Sequence, residues 1–209
     1  MNFQNELVGH QLYPDRLELT SVATLGGLVG YLRAQQIAQP AVILEWGQNF
    51  TTMMIPSARR VELIRSIPFG SEALLASVCQ ELGLKDAASA QKLLSTAGFD
   101  LMEMGGNFLK RFLKELQAST GFFEVQTGHT IKNFLITLLP DSLKWVEGVL
   151  AKYLGAEPLL VDYEGWAHQA GVRAKDASVD LKSLTRDHFP LFSMLVSNEF
   201  LLDENKKVS

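Results

Sequence analysis

The chain has one cysteine in 209 residues, Cys79, which excludes an internal disulfide and any site built from several thiolates. That usage fits a reducing compartment. No apolar run approaches the roughly 20 residues that a bilayer-spanning helix needs, and the first residues carry neither the basic nor the apolar segment of a secretory leader. Direct membrane insertion is therefore not expected, and a membrane association would go through a partner. Basic residues are not in excess either: 19 Lys and Arg stand against 23 Asp and Glu, for a net charge of -4. A binder of phosphate backbones gathers its cations on one face. Here the densest group, Lys110, Arg111 and Lys114, has the spacing of an ordinary solvated helix face, so no nucleic-acid partner is expected. The four histidines, His10, His129, His168 and His188, are widely separated, form no paired-His metal motif, and accompany no Gly-x-Ser-x-Gly elbow.

What the chain does have is core. Hydrophobic residues make up 47% and charged residues 20%, enough to fold a compact domain; only Asp203 to Lys207 reads as a loose tail. Ala41-Val42-Ile43-Leu44-Glu45-Trp46 is a β-branched and aromatic run that predicts a buried strand, followed by a second strand at Phe50 to Ile55 and, after Pro56-Ser57-Ala58, a third at Val61 to Ile67. Val42 and Leu44 should face one side of the sheet and Ile43 the other. Ser71 is an expected N-cap for a helix over Glu72 to Leu82 that stops at Gly83, with Cys79 among its apolar residues. A shorter helix follows at Asp86 to Thr96, and Gly98 with Gly105-Gly106 bracket an irregular link to a long helix from Asn107 to Phe123. Then come a strand at Ile131 to Leu138, a helix at Asp141 to Leu154 capped by Asp141 or Ser142, and a strand at Pro158 to Asp162. A polar stretch from Gln169 to Asp187 leads to a last helix at Phe189 to Leu201.

Three antiparallel strands followed by two reached through helices give an α/β, RNase H-like mixed sheet with helices on both faces and a small helical insertion at about 84–106. The expected division is a lead-in segment and linking helix over 1–39, the RNase H-like unit over 40–201, and a flexible tail over 202–209. The lead-in helix, Thr20 to Gln36, carries Gly26, Gly27 and Gly30. Each costs about 1 kcal/mol relative to alanine in a helix, which points to close packing against this unit or a neighbouring one rather than to a phosphate loop, whose Gly-x-Gly-x-x-Gly form is missing. Asp162 and Glu164 read as solvated acids at a strand end.

Two stretches resemble a known family. Pro40 to Thr52, continuing through Arg65-Ser66-Ile67-Pro68-Phe69-Gly70-Ser71 and Leu82-Gly83-Leu84, is similar to the entry of the second subdomain of PilM-like proteins, assembly factors of type IV pili and related secretion machines. Phe112 to Phe123, Phe134-Leu135-Ile136-Thr137 and Leu150 to Gly155, leading to Val161, resemble the same family's closing strand-helix-strand. The resemblance runs from about Leu12 to Phe200 and implies the actin-like ATPase superfamily fold, one of its two RNase H-like lobes being present. The abrupt opening at Met1 to Glu6 adds the expectation that the natural chain extends upstream.

In that superfamily the hairpin after the first strand faces nucleotide phosphates. The resemblance puts Gly47 and Thr51 at the phosphate-facing positions and Glu45, one methylene longer than the usual Asp, at the acid that holds magnesium-bound water. A Gly-Gly turn is expected after the fourth strand, where the adenosine lies; Leu138-Leu139-Pro140-Asp141 stands there instead, adding side chains and fixing the backbone. The implied function is a cytoplasmic scaffold with a degenerate nucleotide site and no resident cofactor in this chain, ATP and magnesium being a matter for the full-length protein. It would sit at the inner membrane by binding the cytoplasmic segment of a membrane-anchored pilus or secretion protein, and apolar surface left uncovered would favour a weak homodimer. The rivals are an ATP-binding actin-like ATPase or sugar-kinase-like enzyme and a filament-forming relative.

Overall fold

The computed structural model describes residues 3–11, 13, 18–58, 60–95, 101–172 and 180–196. The expected loose tail, the last helix beyond residue 196 and Gly98 lie outside them. Two lead-in helices, α1 (Phe3–Gly9) and α2 (Thr20–Ala34), precede three strands, β1 (Ala41–Trp46), β2 (Thr51–Pro56) and β3 (Val61–Ile67). Four helices follow: α3 (Ser71–Leu82), α4 (Ala87–Leu94), α5 (Leu101–Phe108) and α6 (Lys110–Thr127). Strand β4 (Asn133–Thr137), helix α7 (Trp145–Leu154), a two-residue strand β5 (Glu157–Pro158), helix α8 (Tyr163–Gln169) and a helix over residues 189–196, α9, complete the order.

The sheet runs β3-β2-β1-β4-β5, with β1, β2 and β3 antiparallel and β1, β4 and β5 parallel, as the sequence pattern predicts. Strand β1 is central because it is apolar on both faces. Val42, Leu44 and Trp46 enter one core with Phe69, Leu74 and Val78 around α3, Phe108, Phe112 and Leu116 on α5 and α6, and Val146 and Leu150 on α7. Ala41 and Ile43 enter the other, with Leu28, Tyr31 and Leu32 of α2, Tyr163 and Trp166 of α8, and Phe189, Phe192 and Val196 of α9. Helices thus cover both faces. The lead-in helix α2 belongs to the same packed unit: a Cβ on Gly27 would overlap the Ser193 side chain of α9, whereas Gly26 and Gly30 have open space.

Several local expectations need correction. Gly105-Gly106 does not sit in an irregular link but inside α5, where a Cβ on Gly105 would lie 2.7 Å from the Trp145 ring and from Val149. Gly148 of α7 reciprocates toward Met102, so bare backbone draws α5 and α7 together. The strand expected at Pro158 to Asp162 stops after Pro158: the Leu159 N–H still donates to the Phe134 carbonyl at 2.7 Å, and further on the Asp162 N–H donates to the Tyr31 hydroxyl at 3.2 Å. Tyr163–Gln169 forms α8 where loop was expected, its buried Tyr163 and Trp166 outweighing the glycine in its first turn. Cys79 is only half-buried, packed against the first core with its thiol toward the Asp86 carbonyl at 3.2 Å.

Candidate functional site

In this sheet β1 and β4 run parallel, so the loops at their carboxyl ends lie side by side, the position at which open α/β sheets hold their ligands. Four pieces of chain meet there: the start of α2, the hairpin Gly47 to Phe50, the turn Leu138 to Pro140, and the start of α3.

Glu45 points to the α2 face. Its Oε1 accepts a hydrogen bond from Ser21 Oγ at 2.5 Å, which ties the first turn of α2 to the sheet. Its Oε2 is buried and meets no partner among the described residues; the same holds for Thr137 Oγ1, the register partner of Glu45 on β4, and for Thr24 Oγ1, one turn beyond Ser21. Buried polar atoms are nearly always bonded, so this oxygen-lined seam is the polar exception beneath the site. One carboxylate with hydroxyls falls short of a divalent-metal cage, and no group of three or more His, Cys, Asp or Glu that could hold a metal occurs among the described residues.

Gly47 is a glycine for the hairpin's own sake. Its N–H donates to the Phe50 carbonyl at 3.1 Å, and a Cβ would stand 2.5 Å from that oxygen. The carbonyls of Gly47 and Gln48 then accept from the N–H groups of Ser71 and Glu72 at 3.1 and 3.0 Å. These are among the orphan donors of the first turn of α3, the groups an anion at a helix start would use. Gly70 is the N-cap, not Ser71 as expected: a Cβ at residue 70 would meet the Gly47 carbonyl at 2.5 Å, and the hairpin itself supplies the acceptors that a capping side chain would. The Ser71 hydroxyl accepts instead from Trp46 Nε1 at 2.9 Å.

Thr51 is fully buried, and its Oγ1 donates to the Phe69 carbonyl at 2.8 Å. It pairs with Trp46 across the hairpin and so lies on the face opposite Glu45. Glu45, Gly47 and Thr51 are neighbours in the chain, but the fold does not converge their polar atoms on one point.

After β4, Leu138 has a φ of +59°, the left-handed region that glycine favours, while carrying a half-exposed side chain. The turn thus keeps a glycine-like backbone and adds a leucine to it. Leu139 is buried in the first core. Neither Asp141 nor Ser142 caps the next helix: Asp141–Leu143 forms a separate 3₁₀ turn, and α7 starts at Trp145, since Pro140 fixes the entry and Lys144 is already helical. Lys144 Nζ reaches Asp141 at 2.8 Å and holds its carboxyl below the usual range. Around this sheet end stand four exposed apolar side chains: Leu19, Val22, Phe50 and Leu138.

Away from it, the acids Asp162 and Glu164 serve separately. Asp162 caps α8 by accepting from the Gly165 N–H at 2.9 Å, and Glu164 pairs with Lys182 at 3.4 Å. Between them Tyr163 donates its hydroxyl to the Thr185 carbonyl at 2.8 Å, and burial pushes its pKa up. No helix among the described residues is long and apolar enough to cross a membrane.

Among known proteins, no family model and no curated sequence matches the chain. Solved structures do. The chain is similar to a structure described as the PilM–PilN type IV pilus biogenesis complex, with a TM-score of 0.61 and 19% identity, covering 93% of this chain and 56% of that one. It is also similar to Ta0583, an archaeal actin homolog, with a TM-score of 0.50 and 11% identity, covering 84% of this chain and 53% of that one. At such identities the likeness is one of fold: the five-stranded open sheet with helices on both faces is the actin-like arrangement found in PilM. The chain spans little more than half the length of either structure.

Proposed function

We propose that this chain is the second lobe of a PilM-like assembly scaffold whose nucleotide cleft has been given over to protein contact. On this reading residues 1–39 lead in from a first lobe, 40–201 form the RNase H-like subdomain, and the full-length protein is held at the cytoplasmic side of the inner membrane through the cytoplasmic segment of a membrane-anchored partner in a type IV pilus or type II secretion platform. The observation that carries it is the internal use of the groups that would face a phosphate: Thr51 Oγ1 is bonded to Phe69, and the first N–H groups of α3 to the hairpin carbonyls. A nucleotide would have to displace these bonds and the Leu138 side chain, so the residues do not fit ATP and magnesium. The likeness to a structure in which PilM is assembled with PilN supports a protein partner.

Calorimetry with magnesium-ATP should give no heat of binding at millimolar ligand; a micromolar affinity would favour an actin-like ATPase or a sugar-kinase-like enzyme and overturn this reading. The full-length protein should retain a small single-span membrane protein when drawn from native membranes, and recovery of soluble metabolic enzymes alone would count against the pilus platform. The isolated chain should self-associate weakly, which light scattering at several concentrations measures.

A further inference from the structure

Resting on the scaffold reading, we propose that the outer side of β4, where β5 breaks off, receives an extended, uncharged and apolar stretch of a partner's polypeptide. A cavity of about 380 Å³ opens there, between β4, the segment that leaves the sheet after Pro158, the start of α7 and the 3₁₀ turn Arg186–His188. Its size is that of a ligand pocket.

The strand supplies half of the recognition. On its inner side β4 pairs with β1 as far as Thr137, but on its outer side the pairing covers Asn133 and Phe134 alone, and the Leu159 N–H on the Phe134 carbonyl at 2.7 Å is its last bond. Backbone groups alternate in direction along a strand, so Ile136 turns its N–H and carbonyl to the same side as Phe134. Neither finds a backbone partner on that side among the described residues, although Ile136 is only 1% exposed and lines the cavity. Buried backbone groups are nearly always paired. A peptide laid along this edge brings the acceptor and the donor that Ile136 lacks, in the manner of strand addition to an open sheet edge.

Arg186 supplies the other half. Its side chain is 14% exposed, its Nη1 pairs with Glu147 and its Nε lies 3.7 Å from Asp187, but its Nη2 is buried with no partner among the described residues. Two carboxylates already sit on this guanidinium and Lys144 is paired with Asp141, so an anionic ligand would have to compete with groups in place. A carbonyl oxygen does not compete: it accepts from Nη2 and relieves a donor whose isolation is costly. Leu159, Val161 and Leu184 form the apolar wall beside it, which suits an aliphatic side chain and penalises a charged one. Ile136 and Nη2 show almost no free surface, so the peptide enters as the Arg186–His188 turn draws back from β4.

The test is a heteronuclear NMR titration of this chain, isotope-labelled, with the capped peptide acetyl-Val-Leu-Val-amide, beside a twin methylated on its backbone nitrogens and beside isovalerate as a free carboxylate. The peptide should bind at millimolar concentration and shift the amides of Ile136, Val161 and Arg186, and the methylated twin should bind about tenfold more weakly. Arg186→Lys keeps a cation beside Glu147 and removes the second arm of the fork, so the peptide should bind that variant about fivefold more weakly. Thermal melting shows whether the variant folds; where it does not, the methylated twin decides alone. No shifts at millimolar peptide, shifts confined to other residues, equal binding of the twin, or tighter binding of isovalerate would sink the proposal. So would shifts at these three amides that follow protein concentration alone, since a second copy would then be the occupant. If the peptide fails while capture of the membrane protein persists, the scaffold reading survives with its contact elsewhere; if the peptide binds here and that capture fails, this site stands and the pilus platform falls.

Discussion

The Thr51 hydroxyl and the Phe69 carbonyl meet at 2.8 Å in the interior, locking the start of β2 to the turn that launches α3. Thr51→Val keeps the shape and deletes the donor, stranding a buried carbonyl. It should lower unfolding free energy by about 1 to 2 kcal/mol in urea titrations, whereas Thr51→Ser should recover most of the loss. A neutral Thr51→Val would mean that the hydroxyl is free for another task and would reopen the question of a phosphate ligand.

Strand β1 supplies the second prediction. Leu44 has no exposed surface and sits in the first core between Val42 and Trp46, so Leu44→Ala removes apolar contacts and leaves a cavity, at a cost of about 2 to 5 kcal/mol. A melting temperature within a degree of the wild type would be incompatible with a central buried strand.

The contrast between β1 and β5 explains how much of this fold could be read in advance. Ala41 to Trp46 is apolar on both faces apart from Glu45, and its backbone pairs with β2 on one side and β4 on the other, so pattern and structure agree. Pro158 to Val161 is just as apolar, yet its pairing with β4 ends at Pro158 and the Asp162 N–H meets the hydroxyl of Tyr31, more than 120 residues away in sequence; periodicity carries no trace of so distant a contact. Helix α8 went unseen for the converse reason. Tyr163-Glu164-Gly165-Trp166 has weak local preference, and its two aromatic rings earn helical geometry only by packing on Tyr31 and Phe192. At the site, the spacing of Glu45, Gly47 and Thr51 was legible, but not the direction of each side chain. Ser21 claiming Glu45 and Phe69 claiming Thr51 are tertiary events.

The Leu138 backbone offers a stability gain. Left-handed geometry costs a non-glycine residue about 1 to 2 kcal/mol, and glycine's extra freedom in the unfolded chain returns roughly half of that. Leu138→Gly should therefore raise stability by up to about 1 kcal/mol, which urea titration measures. A loss of more than about 1 kcal/mol would show that the leucine side chain packs in a way that its half-exposure conceals.

The final prediction concerns pH and Tyr163. Its phenol is buried, it donates to the Thr185 carbonyl, and Asp187 adds a repulsive charge to the desolvation that already raises its pKa. In the unfolded chain the phenol ionises near pH 10, whereas in the folded protein it stays protonated well above that. A group raised in this way contributes stability that is fully present below the unfolded value and is lost as pH rises toward the folded one. Tyr163→Phe removes both the hydrogen bond and the titration. At pH 7 to 9 the variant should be less stable by about 1 kcal/mol; between pH 10 and 11.5 the gap should close, because only the wild type then gains from ionising its unfolded state. Urea titrations of both proteins across that range measure the difference directly, with the alkaline effects on all other groups cancelling between them. A gap that stayed constant through pH 11 would mean that Tyr163 ionises alike in both states, and that the tie between α8 and the segment at Thr185 opens before the protein unfolds.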